Sequence, residues 1–335
     1  MIDIIIATYN RPQVICELVD DILRRQIEVI NKIIVVDSSD EQNINLKNKP
    51  GVRYVHSTHK NQPYQRYLGF CIAEASYLLY LDDDMQLLDS DIFNQIEAIF
   101  QNKNISGINL LFTNKNNFLS NVAKHSYHHV PQWMVKALHW ITANPELENG
   151  KYWYCGCRGK RVNNEFSEYF SGGAFSARRD HLYLNFDFGL YSLFENRIGM
   201  GEDMILAYTL SKQGKIFNLP KSYFFHNDTG TSTYTANNKT YNYRVAYSRL
   251  YLSLQYARLN GKGKIEATTI TMWYHLWRIL GLLMISMTKR NAGFAGLAAY
   301  TKGVFDSLAL LFVQNRDEYW KQEIIENIRK YAWQV

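Results

Sequence analysis

The chain has 335 residues, 47% hydrophobic and 20% charged, proportions that exclude a disordered or collagen-like polymer. Four cysteines at irregular spacing are too few for a secreted disulfide framework and fit a reducing setting. The net charge is +6, and the stretch from Tyr241 to Val335 holds 13 Lys and Arg against 6 Asp and Glu. A near-neutral body with a basic, apolar tail suits anionic lipid better than nucleic acid, for which no motif is present.

The length predicts two domains of ordinary size, or one large domain with an appendage. The opening Ile2–Ala7 reads directly as a strand, with Asp3 where a basic leader region would stand, which argues against a signal peptide. Further apolar runs predict strands at Lys32–Asp37, Val52–His56, Tyr77–Leu81 and Ser106–Leu111. Helical spacing lies between them, at Pro12–Arg25, Pro63–Ala75 and Asp91–Phe100. This alternation predicts a doubly wound, mostly parallel α/β sheet, with ligands gathered at the carboxyl ends of its strands. Those ends carry Thr8-Tyr9-Asn10, Asp37-Ser38-Ser39 and Asp82-Asp83-Asp84.

Residues from Phe112 to Glu168 are less regular and rich in Asn, His and aromatics, as in a lid or acceptor wall. Trp133 and Trp140 are its candidate sugar-stacking residues. The histidines between His125 and His139 match no zinc spacing, nor does Cys155-Gly156-Cys157. Tyr169–Arg178 reads as a strand broken at Gly172-Gly173, where a backbone or ligand can approach closely. A short helix over Met204–Gln213 stops at Gly214, and strands follow at Lys215–Leu219 and Ser222–His226. Beyond Asn237 the pattern is helical, at Lys239–Leu259, Glu266–Thr288, Ala292–Val313 and Asp317–Trp333. Domains are accordingly expected at 1–236, divided at 111, and 237–335.

Three adjacent carboxylates at a strand end repel one another, so Asp82–Asp84 call for a cation or many donors; Mg2+ and Mn2+ suit such oxygens. A solvated acidic turn is the plainer alternative. Asp203, ahead of an apolar helix, is either an N-cap or a general base kept ionised by the helix N-terminus. His226 is a metal ligand or a structural histidine. No Ser-His-Asp or Cys-His arrangement competes with these groups.

Taken in order, IIIATYNRP, IIVVDSSD, LLYLDDDM, SGGAFSARR, GMGEDMILAYTLSKQG and FFHNDTGTS resemble glycosyltransferase family 2, inverting nucleotide-sugar transferases of GT-A fold, over about residues 1–260. The resemblance implies that Thr8, Tyr9 and Arg11 line a nucleotide pocket and that Asp37 binds the base. It places Arg66 near the diphosphate, Asp82 and Asp83 at the ribose and sugar, and Asp84 with His226 on a Mn2+ or Mg2+ ion. Asp203 is then the catalytic base and Glu202 its neighbour at the acceptor, with Gly172 and Gly173 on the acceptor side. Tyr67 after Arg66, and Pro63, depart from the family pattern. The implied reaction is hexosyl transfer from a nucleoside-diphosphate sugar, UDP favoured, to a hydroxyl of a glycan or lipid-linked glycan in cell-surface polysaccharide synthesis. The rival readings are a nucleotidyltransferase, whose Gly-rich phosphate loop ATYNRP lacks, and a non-catalytic membrane-associated binding protein.

Ile270–Met287 is the most hydrophobic stretch, but His275 and Arg278 within it disfavour a membrane span. Trp273, Trp277, Leu280, Met284 and Met287 fall on one stripe bracketed by Arg258, Lys262, Lys264, Lys289 and Arg290. Such helices lie on the inner leaflet of a cytoplasmic membrane, pack internally, or join two copies of the chain.

Overall fold

The computed structural model describes residues 1–114, 133, 147–159, 165–170, 172–182, 188–227, 238–289 and 291–312, with 322, 323 and 326. The first part alternates strand and helix as the apolar runs predict: β1 (Ile2–Thr8), α1 (Pro12–Arg24), β2 (Ile30–Asp37), α2 (Ile44–Lys47), β3 (Val52–His56), α3 (Gln62–Ile72), β4 (Tyr77–Asp82), β5 (Met85–Leu87), α4 (Asp91–Phe100) and β6 (Ile105–Asn114). Small pieces follow: β7 (Tyr152–Trp153), β8 (Cys157–Arg158) and β9 (Phe166–Ser167). Then come β10 (Ala174–Arg178), α5 (Arg179–Leu182), α6 (Phe188–Glu195), α7 (Glu202–Leu210) and β11 (Lys215–His226).

The main sheet runs β3-β2-β1-β4-β10-β6-β11-β5, with β9 beside β11. Parallel ladders join β3, β2, β1 and β4, and also β6 and β11. β10 enters antiparallel between β4 and β6. Apolar runs specify burial, but neither direction nor neighbour, so a strand from later in the chain fills this place. The two strands expected between 215 and 226 are one, with its register broken between Asn218 and Ser222 around Pro220, which has no N–H to donate.

Apolar alternation sends β1 side chains to both faces. Ile5 packs with Tyr64 and Leu68 of α3. Ile4 and Ile6 pack with Ile15, Leu18 and Val19 of α1 and with Phe93 and Ile96 of α4. The doubly wound expectation therefore holds. Its strands end together, placing Thr8 opposite Asp37 on one side and Ala7 opposite Asp82 on the other.

Three long helices complete the described chain: α8 (Asn238–Leu259), α9 (Lys264–Lys289) and α10 (Asn291–Ser307). Tyr247, Tyr251 and Leu252 of α8 enter the same core as Tyr64, Phe170 and Phe175. On α9, Ala267, Thr271 and His275 are buried, while Trp273, Leu276, Leu280, Leu283, Met284 and Met287 are exposed. Trp277, expected on the open stripe, is half-buried. No helix among the described residues is long and apolar enough to cross a membrane. The expected helix over 317–333 lies outside the described residues except at 322, 323 and 326.

Candidate active site at the strand ends

The β1 and β2 termini are tied together by Gln65, whose Nε2 donates to the carbonyls of Thr8 at 2.9 Å and Val36 at 2.7 Å. Asp37 is buried; its Oδ2 accepts from Tyr54 OH at 2.7 Å, and its Oδ1 from the Ser39 amide at 2.8 Å and the Ser39 hydroxyl. Tyr9 is exposed on the rim, with the Lys60 ammonium 5.1 Å from its ring centre. These are residues that the family resemblance assigns to a nucleotide pocket.

The acidic trio divides by environment. Asp83 turns inward, accepting from Thr8 Oγ1 at 2.7 Å and Arg11 Nη1 at 2.8 Å; burial nevertheless pushes its carboxyl up to about 6. Asp82 is raised too, again chiefly by burial. Asp84 has the opposite balance. Burial opposes its charge, but His226 and Arg11 outweigh that and hold it below the usual carboxylate range.

Asp82, Asp84 and His226 offer ligand atoms within 4.8 Å of one another. His226 Nε2 lies 3.0 Å from Asp84 Oδ1, yet that enclosed oxygen has no partner with hydrogen-bond geometry. An imidazole nitrogen beside carboxylate oxygens suits the ligand set of one hard divalent cation. The residues present therefore fit Mn2+ or Mg2+.

Glu202 and Asp203 open α7 behind Gly201, whose φ of +85° is in the left-handed region that glycine adopts without strain. The helix N-terminus favours their negative charge by about 0.3–2 kcal/mol. Burial prevails nonetheless: it raises both carboxyls, and the proximity of Asp203 raises Glu202 further. Arg66, 5% exposed, counters this by bonding Glu202 Oε1 at 3.3 Å and Asp82 Oδ1 at 2.9 Å. Gln62 Nε2 adds a bond to the same Asp82 oxygen at 3.0 Å.

A cavity of about 340 Å³ joins these groups. Asp82, Arg66 and Gln62 line it from the sheet, Glu202 and Asp203 from α7, and Gly172 and Gly173 from the turn before β10. Gly172 has φ +76°, and a Cβ there would lie 3.0 Å from Asp203 Oδ2. The Gly173 carbonyl accepts from the Asp82 amide at 2.8 Å, so this turn spans from strand end to helix start.

The residues singled out by sequence thus fall into three linked places: Thr8, Tyr9, Arg11 and Asp37 on the rim, Asp82, Asp84 and His226 in one cluster, and Gly172, Gly173, Glu202 and Asp203 around one cavity. Arg66, expected near the diphosphate, is held between the carboxylates of Asp82 and Glu202. Trp133 is 70% exposed and does not line the cavity. Trp140, the His125–His139 group and the loop after Asn227 lie outside the described residues. Sequence reasoning missed Gln62, Arg158, Ser248 and Arg249, which also line the cavity. Gln62 is legible afterwards as the start of a helix facing a strand end; the others belong to segments without any motif.

Residues 3–161 match the family described as Glycosyl transferase family 2. No curated protein matches the sequence significantly. Among solved structures, TarS 1-349 of S. aureus is similar with a TM-score of 0.51 and 15% identity, covering 98% of this chain and 89% of that one. A longer S. aureus TarS structure has a TM-score of 0.48 and 15% identity, covering 82% of this chain and 42% of that chain. The mannosyltransferase PcManGT of Pyrobaculum calidifontis, in complex with GDP-Man and Mn2+, has a TM-score of 0.49 and 13% identity, covering 99% of this chain and 87% of that one. The resemblance read from the motifs is borne out: residues 3–161 match glycosyl transferase family 2, and the chain has a GT-A-type glycosyltransferase fold.

Proposed function

We propose that the chain transfers a sugar, with inversion, from a nucleoside-diphosphate sugar to a hydroxyl of a glycan or lipid-linked glycan used in cell-surface polysaccharide synthesis. One observation carries the reading: Asp82 at the end of β4 and Asp203 at the start of α7 line a single cavity. Thr8, Tyr9, Arg11 and Asp37 are the donor's nucleotide wall, with Asp82 and Asp83 toward the ribose and sugar. Asp84, with His226 and Asp82, would hold Mn2+ or Mg2+, which supplies charge neutralisation for the departing diphosphate. Asp203 accepts the proton of the attacking hydroxyl, and Glu202 stands beside it at the acceptor. Such a base contributes about 10²–10⁴ in rate. Its raised pKa improves it as a proton acceptor near neutrality. In-line attack needs no covalent nucleophile. Calorimetric titration with UDP, GDP and dTDP, with and without Mn2+, tests this: metal-enhanced binding of one nucleotide is expected, and none with any of the three overturns it.

The exposed α9 face favours an anionic membrane surface as the place of work, on the inner leaflet. Trp273, Leu276, Leu280, Leu283, Met284 and Met287 recur at helical spacing, and Arg258, Lys262, Lys264 and Arg278 are exposed around them. An apolar stripe edged with cations complements lipid tails below anionic headgroups. Co-sedimentation with phosphatidylglycerol vesicles, lost in the Trp273→Ser, Met284→Ser, Met287→Ser variant, is expected. Sedimentation unchanged by the triple substitution, or a dimer that the substitutions dissociate in vesicle-free buffer, overturns it.

A further inference from the structure

Two arginines in the cavity have no part in the reading above. Arg158 ends β8, and Arg249 projects from α8; both line the space beside Asp203. The third cavity arginine, Arg66, has its charge matched by Asp82 and Glu202. Neither Arg158 nor Arg249 has an ion pair among the described residues. Arg249 donates through Nη1 to the Cys155 carbonyl and lies 5.8 Å from the Tyr274 ring centre, while its enclosed Nε has no hydrogen-bond partner. Arg158 is exposed and lies 5.3 Å from the Tyr169 ring centre, with no side-chain hydrogen bond among the described residues.

Aromatic contacts of this kind contribute about 0.5–2 kcal/mol. Burying the Arg249 guanidinium costs several kcal/mol, which its unpaired Nε makes worse, whereas exposed Arg158 stays solvated near Asp203. Arg249, facing the cavity without an ion pair among the described residues, therefore suits an anion, and Arg158 adds a second guanidinium beside it. The backbone has been shaped around it. Cys155 and Gly156 both have positive φ, 59° and 65°, and a Cβ on Gly156 would lie 3.0 Å from Arg249 Nη1. The bare glycine leaves room for the guanidinium, and the same turn delivers Arg158 two residues later. The planar fork of arginine matches carboxylate and phosphate oxygens in pairs.

We infer that Arg158 and Arg249 bind an anionic group, carboxylate or phosphate, on the acceptor, so that a neighbouring hydroxyl is presented to Asp203. The inference rests on the reading of Asp203 as base and names the acceptor's chemical class. The acceptor side is favoured because both arginines enter from α8 and the 154–158 turn, whereas the strand ends assigned to the donor enter the cavity through Asp82.

The test is calorimetric titration of the full chain with inorganic phosphate and with glucuronate, glucose being the neutral control, each with and without UDP and Mg2+. Wild type should bind both anions and not glucose. Arg158→Gln and Arg249→Lys should each weaken anion binding about tenfold or more, as expected when a bidentate charge-assisted contact is lost. Retained UDP–Mg2+ affinity and an unchanged melting curve show that each variant folds; Arg158→Gln, at an exposed position, is the safeguard should Arg249→Lys misfold. Equal anion binding in wild type and variants, no binding in wild type, or displacement of phosphate by UDP overturns the inference. So does an arginine-dependent preference for UDP-glucuronate over UDP-glucose without binding of free glucuronate, which would put the anion on the donor. Failure of nucleotide binding alone overturns the donor reading, while the titration without nucleotide still decides the arginine pair.

Discussion

Asp82 and Glu202, 120 positions apart in the sequence, are joined through the Arg66 guanidinium, at 2.9 and 3.3 Å. The bridge links the strand end assigned to the donor to the helix start assigned to the acceptor. Without it, Asp82, Glu202 and Asp203 would repel one another in a buried setting. Arg66 has side-chain exposure of 6%, so its removal leaves unpaired buried charge. Arg66→Met should destabilise the protein by about 3–5 kcal/mol. Because Arg66 lowers the carboxyls of Glu202 and Asp203, its loss should also move the acid limb of activity to higher pH. Denaturant titration and a pH–rate profile check the two parts.

The base and the cation should separate on mutation. Asp203→Asn is expected to lower kcat by about 10²–10⁴ while metal-enhanced nucleotide binding persists. Asp84→Ala should abolish the metal enhancement itself, as should EDTA with the wild type. Wild-type turnover in Asp203→Asn would refute the base assignment.

The pH dependence has a definite sign. On the proposed mechanism transfer needs ionised Asp203, whose carboxyl is raised by burial and lowered by Arg66 and Arg158. Activity therefore falls as pH drops through that raised value, above the ordinary carboxylate range. Glu202→Gln removes a neighbouring negative charge and should move the limb down, whereas Arg158→Gln should move it up. Profiles of kcat/KM distinguish these shifts.

Gly172 tests how closely the turn before β10 approaches the base. Alanine there meets Asp203 Oδ2 at 3.0 Å and occupies φ +76°. Left-handed backbone costs a non-glycine residue about 1–2 kcal/mol. Gly172→Ala should retain the fold, lose about that much stability, and lower kcat. Melting curves and initial rates read both.

His275 supplies an acid-sensitive element in the C-terminal helices. It is 1% exposed, with Nδ1 2.8 Å from Tyr300 OH, and burial followed by Arg249 lowers it from 6.5 to about 3. An unfolded chain takes up the proton first, so stability is complete above pH 6.5 and is lost as pH falls toward 3. Between pH 7 and 5 the loss should be about 2 kcal/mol. His275→Asn should flatten this dependence in thermal melts across that range.

Most of the sheet and the identity of the acidic groups were legible in local sequence. Runs such as IIIAT and LLYLD can be satisfied only by burial in strands, and Pro12, Pro63 and Gly201 mark helix starts through the backbone conformations they allow. Motif order brought out LDDDM and GED as the candidate chemistry. Tertiary structure alone decided that β10 lies antiparallel between β4 and β6, that Arg66 is shared by two carboxylates, and that Arg158 and Arg249 reach the Asp203 cavity. The reason is physical. Periodicity and turn chemistry act over a few residues, whereas strand neighbours and charge pairing are set by which distant surfaces can be buried together without leaving a charge unmatched.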